Sequence, residues 1–228
     1  MSFLFFSIID LVALASFFLL WVGFGYVMDR SNWRAKSLSA AMNYHRLRWM
    51  HQMLEREVRI QDSNLVSNLM RSISLLASTS ILILGGVIAM MGSVHTSYEV
   101  LQDLPFTVDT PREVYELKLI LLATVFVYTF FQFTWSLRQF NYCCILIGGA
   151  PSNTADPTTK ATFVKQAARL NELGARSFNS GLRGFYFALA LLCWFIHPVV
   201  MIAATACVVA ILYRREFHSR TRAALMME

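Results

Sequence analysis

The sequence predicts an all-α integral membrane protein, a single domain over residues 1–228 with four membrane-embedded helical segments. Hydrophobic residues make up 56% of the chain, and they come in long runs without charge, while the charged residues stand in blocks between those runs. A run of about twenty uncharged residues is long enough to cross the ~30 Å hydrocarbon core of a bilayer. This distribution, rather than the apolar fraction alone, favours a membrane bundle over one soluble domain.

The first segment covers residues 3–27. It lacks the positively charged start of a secretory signal, it carries Asp10 inside the apolar stretch, and it is longer than the apolar core of a typical signal peptide. We therefore expect an uncleaved membrane span.

A basic, methionine-rich region, residues 31–71, leads into the second span, residues 73–94, with the membrane boundary near Arg71. Apolar side chains recur at helical spacing in this region, which predicts an amphipathic helix in the headgroup layer or packed beneath the membrane. Its polar side is expected to form one charged stripe, because the members recur at spacings of three and four: Arg48, His51, Glu55, Arg59 and Asp62.

The second span carries a face of small side chains. Small residues let helix backbones approach closely, so this face predicts where another span packs, with a pore lining as the alternative. Its members are Ser74, Ser78, Gly85, Ala89 and Ser93.

The third span covers residues 119–137, and its helix can extend to residue 147. Polar residues follow it at strict four-residue intervals: Thr124, Tyr128, Gln132 and Ser136. In lipid such a stripe needs hydrogen-bond partners. Bonding to another helix of the bundle is the favoured interpretation, and a water-lined path is the alternative.

A second cytoplasmic helical region, residues 156–182, begins with Asp156 as N-cap and Pro157 as the first helical residue. The fourth segment, residues 185–213, is longer than one crossing needs, and Pro198 interrupts helical hydrogen bonding near its middle. It is therefore either one kinked span or a re-entrant hairpin that turns at Pro198 and leaves the tail inside. Two complete spans are the least favoured option, because each half is short for a full crossing.

The charges of the connections predict their side of the membrane. The first connection, 29–71, holds eight bases and the third, 138–183, holds six, whereas the second, 95–118, holds two bases and five acids. The positive-inside rule predicts cytoplasmic first and third connections, an outside N-terminus and, for a bacterial source, the inner membrane. A single fourth crossing would strain this rule, because it would put four arginines of the tail outside: Arg214, Arg215, Arg220 and Arg222.

Two ionisable residues, Asp10 and His197, lie inside apolar runs. A charge at the bilayer centre costs about 3 kcal/mol or more, so such residues usually face the bundle or a wet cavity. A proton or cation relay is the functional interpretation. The favoured one is structural, with Asp10 reaching headgroup water and His197 bonded to carbonyls that Pro198 frees.

Three arginines at the cytoplasmic boundary, Arg71, Arg138 and Arg183, are candidate contacts for lipid headgroups. An anion site built from Arg138 and Arg183 is the sharper alternative. The net charge of +6 fits anionic lipid rather than nucleic acid, because the bases lie beside the spans.

No catalytic, cofactor or metal site is predicted. The four cysteines stand in apolar surroundings without CxxC spacing: Cys143, Cys144, Cys193 and Cys207. His51 and Glu55, one helical turn apart, are the candidate acid–base pair for an enzyme that acts on lipid, but a surface ion-pair ladder is the favoured interpretation.

Several stretches resemble the domain-of-unknown-function family numbered 599, membrane proteins of bacteria and plants. They are residues 45–62 (HRLRWMHQMLEREVRIQD), 77–86 (ASTSILILGG) and 182–190 (LRGFYFALA), the last continuing through 194–198 (WFIHP) to 213–217 (YRREF). The resemblance spans nearly the whole chain. It implies a polytopic membrane protein and no established activity, cofactor or substrate.

Two function classes follow. The first is a non-enzymatic membrane module that assembles with copies of itself or with a larger membrane protein complex, suggested by the small-residue face and by the methionine- and aromatic-rich helices. The alternative is a homo-oligomeric ion channel or small-solute transporter, whose path the span-three stripe, Asp10 and His197 would line.

Overall fold

In a computed structural model, every regular element of the described chain is a helix, which confirms the predicted all-α class. The structure describes residues 6–30, 32–103, 110–152 and 154–225, and at residues 32 and 34 the backbone alone. Residues 3–5 of the predicted first span, residue 31 and Asp109 of the second connection lie outside the described residues.

The helices follow one another with short connections. They are α1 (Ile8–Arg30), a 3-10 helix (Asn32–Lys36), α2 (Leu38–Glu55), α3 (Ile60–Gly92), α4 (Val94–Gln102), α5 (Arg112–Gly148), α6 (Pro157–Leu192), a second 3-10 helix (Cys193–Phe195), α7 (Pro198–Phe217) and α8 (Arg220–Leu225). By length and composition, four stretches within the described residues can cross a membrane: α1, α3, α5 and Pro198–Leu225.

The basic region between the first two spans is not one helix. Helix α2 ends at Glu55, Arg56 is extended with φ −85° and ψ 136°, and α3 begins at Ile60. Asp62 is fully buried, and its Oδ1 accepts hydrogen bonds from Trp49 Nε1 and Arg56 Nη1, both at 2.7 Å. The expected single charged stripe is therefore wrong, because Asp62 turns inward to these two donors instead of continuing the exposed row.

The two longest helices, α5 and α6, pack against each other along most of their length. Glycines on α6 allow this close approach: a Cβ at Gly181 would lie 2.6 Å from Phe133 Cε1 of α5, and one at Gly174 would lie 2.9 Å from Phe140. Helix α3 lies on the other side of α5, and its buried residues include Val66, Ile73, Ala77 and Val87. Helix α5 is thus the centre of the bundle.

The chain reverses at His197–Pro198. Helix α6 ends at Leu192, and α7 starts at Pro198 with His197 as its N-cap. Two contacts tie the last third of α6 and the turn to opposite ends of α1: Arg183 Nη2 to Asp29 Oδ2 at 2.8 Å, and Trp194 Nε1 to Asp10 Oδ1 at 2.7 Å. This stretch therefore runs alongside α1, and α7 runs back beside it.

The fourth segment is not a single kinked span, because the chain reverses at Pro198. The turn lies beside Asp10 at the start of α1, the far end from Asp29, so the segment runs along the bundle twice instead of turning part-way as a re-entrant hairpin would. Arg222 Nε of α8 donates to the Lys36 carbonyl at 2.8 Å, and Glu216 Oε1 accepts from the Ser39 amide at 2.9 Å. The tail therefore lies at the end of the bundle that also holds Arg30 and Arg183. We call this the basic end.

Candidate functional site

A cavity of about 250 Å³ opens at the basic end, between the end of α1, the start of α2, the middle of α6 and the end of α7. Among the residues that the structure describes, four arginines and three carboxylates line it, which leaves the cavity with one net positive charge. The arginines are Arg46, Arg176, Arg183 and Arg215, and the acids are Asp29, Glu172 and Glu216.

Two of these arginines are held by carboxylates. Arg183 Nη2 donates to Asp29 Oδ2 at 2.8 Å and to Ser180 Oγ at 2.7 Å, and the Arg183 side chain is only 12% exposed. Arg176 Nη2 donates to Glu172 Oε1 at 3.0 Å. The other oxygen of Glu172 accepts from Arg169 at 2.7 Å.

The other two arginines are held by neutral acceptors. Arg46 Nη1 donates to Asn43 Oδ1 at 2.7 Å, and Arg215 Nη1 donates to the Tyr186 hydroxyl at 3.0 Å. The Arg215 guanidinium also lies 5.9 Å from the Tyr186 ring centroid, within cation–π range. Burial lowers the pKa of Arg46 from its ordinary value, and the nearby Glu172 carboxylate opposes that effect.

Of the three predicted headgroup contacts, only Arg183 lies in the cavity. Arg71 is exposed on α3, and Arg138 is exposed on α5, where its Nε donates to the Tyr142 hydroxyl at 2.7 Å. Arg138 also lies 6.0 Å from the Trp135 ring centroid. The alternative of an anion site built from Arg138 and Arg183 has no support here, because the Arg138 side chain bonds to Tyr142 of its own helix.

Sequence reasoning missed Arg46, Arg176 and Arg215 as members of one site. Part of the signal was present: Glu172, Arg176, Asn179 and Arg183 are spaced by four, three and four residues, which puts them on one face of α6. No local pattern connects that face with Arg46 or Arg215, since those residues come from distant helices.

The polar stripe of α5 is divided between different surroundings. Ser136 is buried, and its hydroxyl donates to the Gly174 carbonyl of α6 at 2.7 Å. Thr124 is exposed and donates to its own helix, at Ile120, over 2.8 Å. Tyr128 packs edge-on against Trp21 of α1 at 5.4 Å, and Gln132 is half-buried. Interhelix bonding, the favoured interpretation, thus describes Ser136.

A buried lysine at the opposite end escaped the sequence analysis. Lys118 is 2% exposed, and its ammonium donates to the Trp194 carbonyl at 2.9 Å and lies 5.1 Å from the centroid of that indole ring. Because the indole N–H donates to Asp10, one tryptophan joins α1, α5 and the turn before α7. Asp10 serves this junction.

From the sequence we expect His197 to bond to a backbone carbonyl that Pro198 frees, but the structure gives it a different partner. Its Nδ1 accepts the Val199 amide at 3.1 Å and so caps α7. The candidate acid–base pair, His51 and Glu55, is exposed near the end of α2. Within the described ranges, no group of three or more His, Cys, Asp or Glu side chains could hold a metal ion.

The small-residue face of α3 points away from the rest of the chain. All five of its members, Ser74, Ser78, Gly85, Ala89 and Ser93, are exposed, and a Cβ at Gly85 would meet no atom within 4 Å. Within one chain the expected packing of another span on this face is therefore wrong. Packing by a second molecule stays a prediction.

Together these features define an all-helical, multi-pass membrane bundle with an arginine-lined cavity at one end. The chain matches the family model described as "Protein of unknown function, DUF599" over residues 12–221, and it belongs to that family. No curated protein and no solved structure matches it significantly.

Proposed function

We propose that this protein is a non-enzymatic, multi-pass membrane module that assembles through the small-residue face of α3, with a second copy of itself or with another membrane protein. The observation that carries the proposal is the exposure of that face. Lipid tails give no hydrophobic drive for helix association, so close backbone packing at small residues is a main source of affinity between spans.

The geometry of α3 supports this assignment. At ~100° per residue, the small face lies roughly 150° around the helix from the face that packs on α5. One side of α3 is therefore committed to its own chain, and the other side is available to a neighbour. Large side chains would keep a neighbouring backbone at a distance there, and Ser78, Gly85 and Ala89 do not.

The test replaces Gly85 and Ala89 together by leucine. A Cβ at Gly85 meets nothing within 4 Å, so the fold should persist while the approach of a neighbour is blocked. Gly23→Leu on α1 is the matched control, because a Cβ there also meets nothing within 4 Å. We expect the wild type to exceed its monomer mass of 26.0 kDa in mild detergent, the double variant to lose that excess, and Gly23→Leu to retain it.

Light scattering on the purified protein measures the mass, and mass spectrometry of the same sample identifies any co-purified membrane protein. A wild type that runs as a strict monomer without a partner would contradict the proposal. So would a double variant that assembles like the wild type.

The channel or transporter alternative has less support from this geometry. The hydroxyl groups of Ser136 and Thr124 donate to backbone carbonyls, so these two residues of the stripe already have hydrogen-bond partners within the chain. Liposome flux that falls with Gln132→Leu would favour this alternative, and unchanged flux would remove Gln132 from any path.

We further propose that the basic end faces the cytoplasm and that the start of α1 faces outside. The hairpin supports this orientation, since it brings the tail arginines to the same end as Arg30 and Lys36. All the basic blocks then obey the positive-inside rule. For a bacterial source this implies the inner membrane.

A further inference from the structure

We infer that the cavity at the basic end is a binding site for one phosphate-bearing anionic group, which Arg46 and Arg215 contact directly. Phosphate chemistry is shared by lipid headgroups and by soluble phosphoesters. The cavity shares no residue with the α3 face of the proposed function, so an experiment can refute either proposal without refuting the other.

The donors of the cavity carry the first step. A guanidinium has five N–H groups, and the hydrogen bonds that Arg46 and Arg215 make within the protein engage one nitrogen each, on a neutral acceptor. Both side chains therefore keep N–H donors, and the Glu172 carboxylate that acts on Arg46 is already shared with Arg169 and Arg176. Planar guanidinium groups bind phosphate oxygens in pairs of parallel hydrogen bonds, which are among the stronger ones in proteins.

Three carboxylates line the cavity and would repel an anion, but each of them has a hydrogen-bond donor of the protein as its partner. Asp29 is engaged by Arg183, Glu172 by Arg169 and Arg176, and Glu216 accepts the Ser39 amide. These pairs hold Arg183 and Arg176 in place and neutralise them. Among the described lining residues one net positive charge remains, that of Arg46 and Arg215 less that of Glu216, and it matches the single negative charge of a phosphodiester.

The position of the cavity fits a headgroup. Beyond Arg183, residues 185–192 of α6 hold no charged side chain, and neither do residues 198–213 of α7, which precede Arg214 and Arg215. The cavity thus lies where the apolar bundle gives way to the basic end. Its volume of about 250 Å³ is below the ~300–1,000 Å³ typical of pockets for drug-sized ligands, so it suits one headgroup rather than a larger molecule.

The test compares Arg46→Gln/Arg215→Gln with Arg48→Gln/Arg220→Gln, which removes the same charge from exposed sites outside the cavity. One arm measures by native mass spectrometry how much phosphatidylglycerol the full chain retains relative to phosphatidylcholine. The other arm measures the rise in Tm that inorganic phosphate and glycerol 3-phosphate produce in detergent.

We expect the wild type to prefer phosphatidylglycerol or to gain Tm with the soluble phosphates, and the cavity variant to bind at least roughly tenfold more weakly, as the loss of charge-assisted hydrogen bonds implies. The control variant should behave as the wild type. A preference confined to the lipid arm assigns the site to a headgroup, and a shift confined to the soluble arm assigns it to a phosphoester.

Equal responses of wild type and cavity variant in both arms would overturn the inference, and so would an equal loss in the control variant, because that would show charge alone to be responsible. Circular dichroism and the elution volume of each variant confirm that it is folded. Failure of the α3 leucine variants to change the mass of the assembly would leave this result untouched.

Discussion

At the scale of single residues, the buried carboxylate of Asp62 joins the end of α2 to the start of α3. It accepts both Trp49 Nε1 and Arg56 Nη1, and so fixes the break between α2 and α3. A hydrogen bond to a charged group contributes ~1.5–3 kcal/mol. We take the lower end for Arg56, because its side chain is 40% exposed and solvent screens the pair.

We therefore predict that Asp62→Ala lowers the free energy of unfolding by about 3 kcal/mol. Denaturant unfolding in mild detergent measures this loss. Glu57→Ala is the matched control, since it removes an exposed carboxylate from the same connection. Equal effects of the two substitutions would mean that Asp62 acts through net charge and not through its two donors.

The same residue shows a limit of sequence reasoning. Periodicity puts Asp62 on the exposed stripe with Arg48 and Glu55, because spacing records the neighbours along one helix only. Trp49 and Arg56 come close to Asp62 because the helix is interrupted between Glu55 and Ile60, and no proline or glycine in the sequence marks that interruption. Arg46 and Arg215 escaped notice for a related reason, as their shared cavity exists only after four helices pack.

At the scale of the elements, small residues serve α6 more than α3. The spacing of small residues predicts close packing at the small face of α3, which the chain leaves exposed. The close approach within the chain uses Gly174, Gly181 and Ala188, at seven-residue intervals on α6, with Ser177 and Gly184 between them. This spacing is visible in the sequence, but the polar residues around it indicated a region outside the membrane.

We predict opposite effects of alanine on these two helices. Gly181→Ala should destabilise the protein by ~1–3 kcal/mol, since its methyl group would overlap Phe133. In a detergent that keeps the protein monomeric, Gly85→Ala should be neutral or stabilise by up to ~1 kcal/mol, because alanine is the better helix former and its methyl group meets no atom of its own chain within 4 Å.

Denaturant unfolding of the two variants under one set of conditions measures both effects. A destabilisation at Gly85 that occurs only in mild detergent, where the protein assembles, would show that a neighbour packs on this face, as proposed for α3; a destabilisation of the monomer would contradict the exposure of Gly85 within its own chain. An unchanged stability of Gly181→Ala would contradict the tight α5–α6 contact.

The α5 stripe shows how spacing fails over distance. A four-residue step advances the position around a helix by ~40°, so the three steps from Thr124 to Ser136 rotate it by about 120°. This drift explains why Thr124 is exposed while Ser136 faces α6. The pattern identified polar residues correctly, but it could not keep them on one face.

At the scale of the whole molecule, uncharged runs sufficed to predict the helical class and the first three apolar spans. Basic blocks sufficed to predict that the first and third connections lie at the same end of the bundle, where Arg59 donates to the Ala150 and Pro151 carbonyls. The fourth segment could not be settled in this way, because Pro198 permits both a kink and a reversal. Contacts between residues far apart in sequence decide it: Arg183 with Asp29, Trp194 with Asp10, and Arg222 with Lys36.

The hairpin makes a prediction about topology that is independent of any function. Single cysteines replace Glu57, Glu99 and Arg220, all exposed, in a chain whose four native cysteines are changed to alanine. A membrane-impermeant maleimide then labels intact cells and inverted vesicles. Positions 57 and 220 should both be labelled in inverted vesicles, and position 99 should be labelled in intact cells.

Labelling of position 220 together with position 99 would exclude the hairpin, because only a single crossing carries the tail to that side. Labelling of 57 and 220 together in intact cells would keep the hairpin and reverse the proposed orientation.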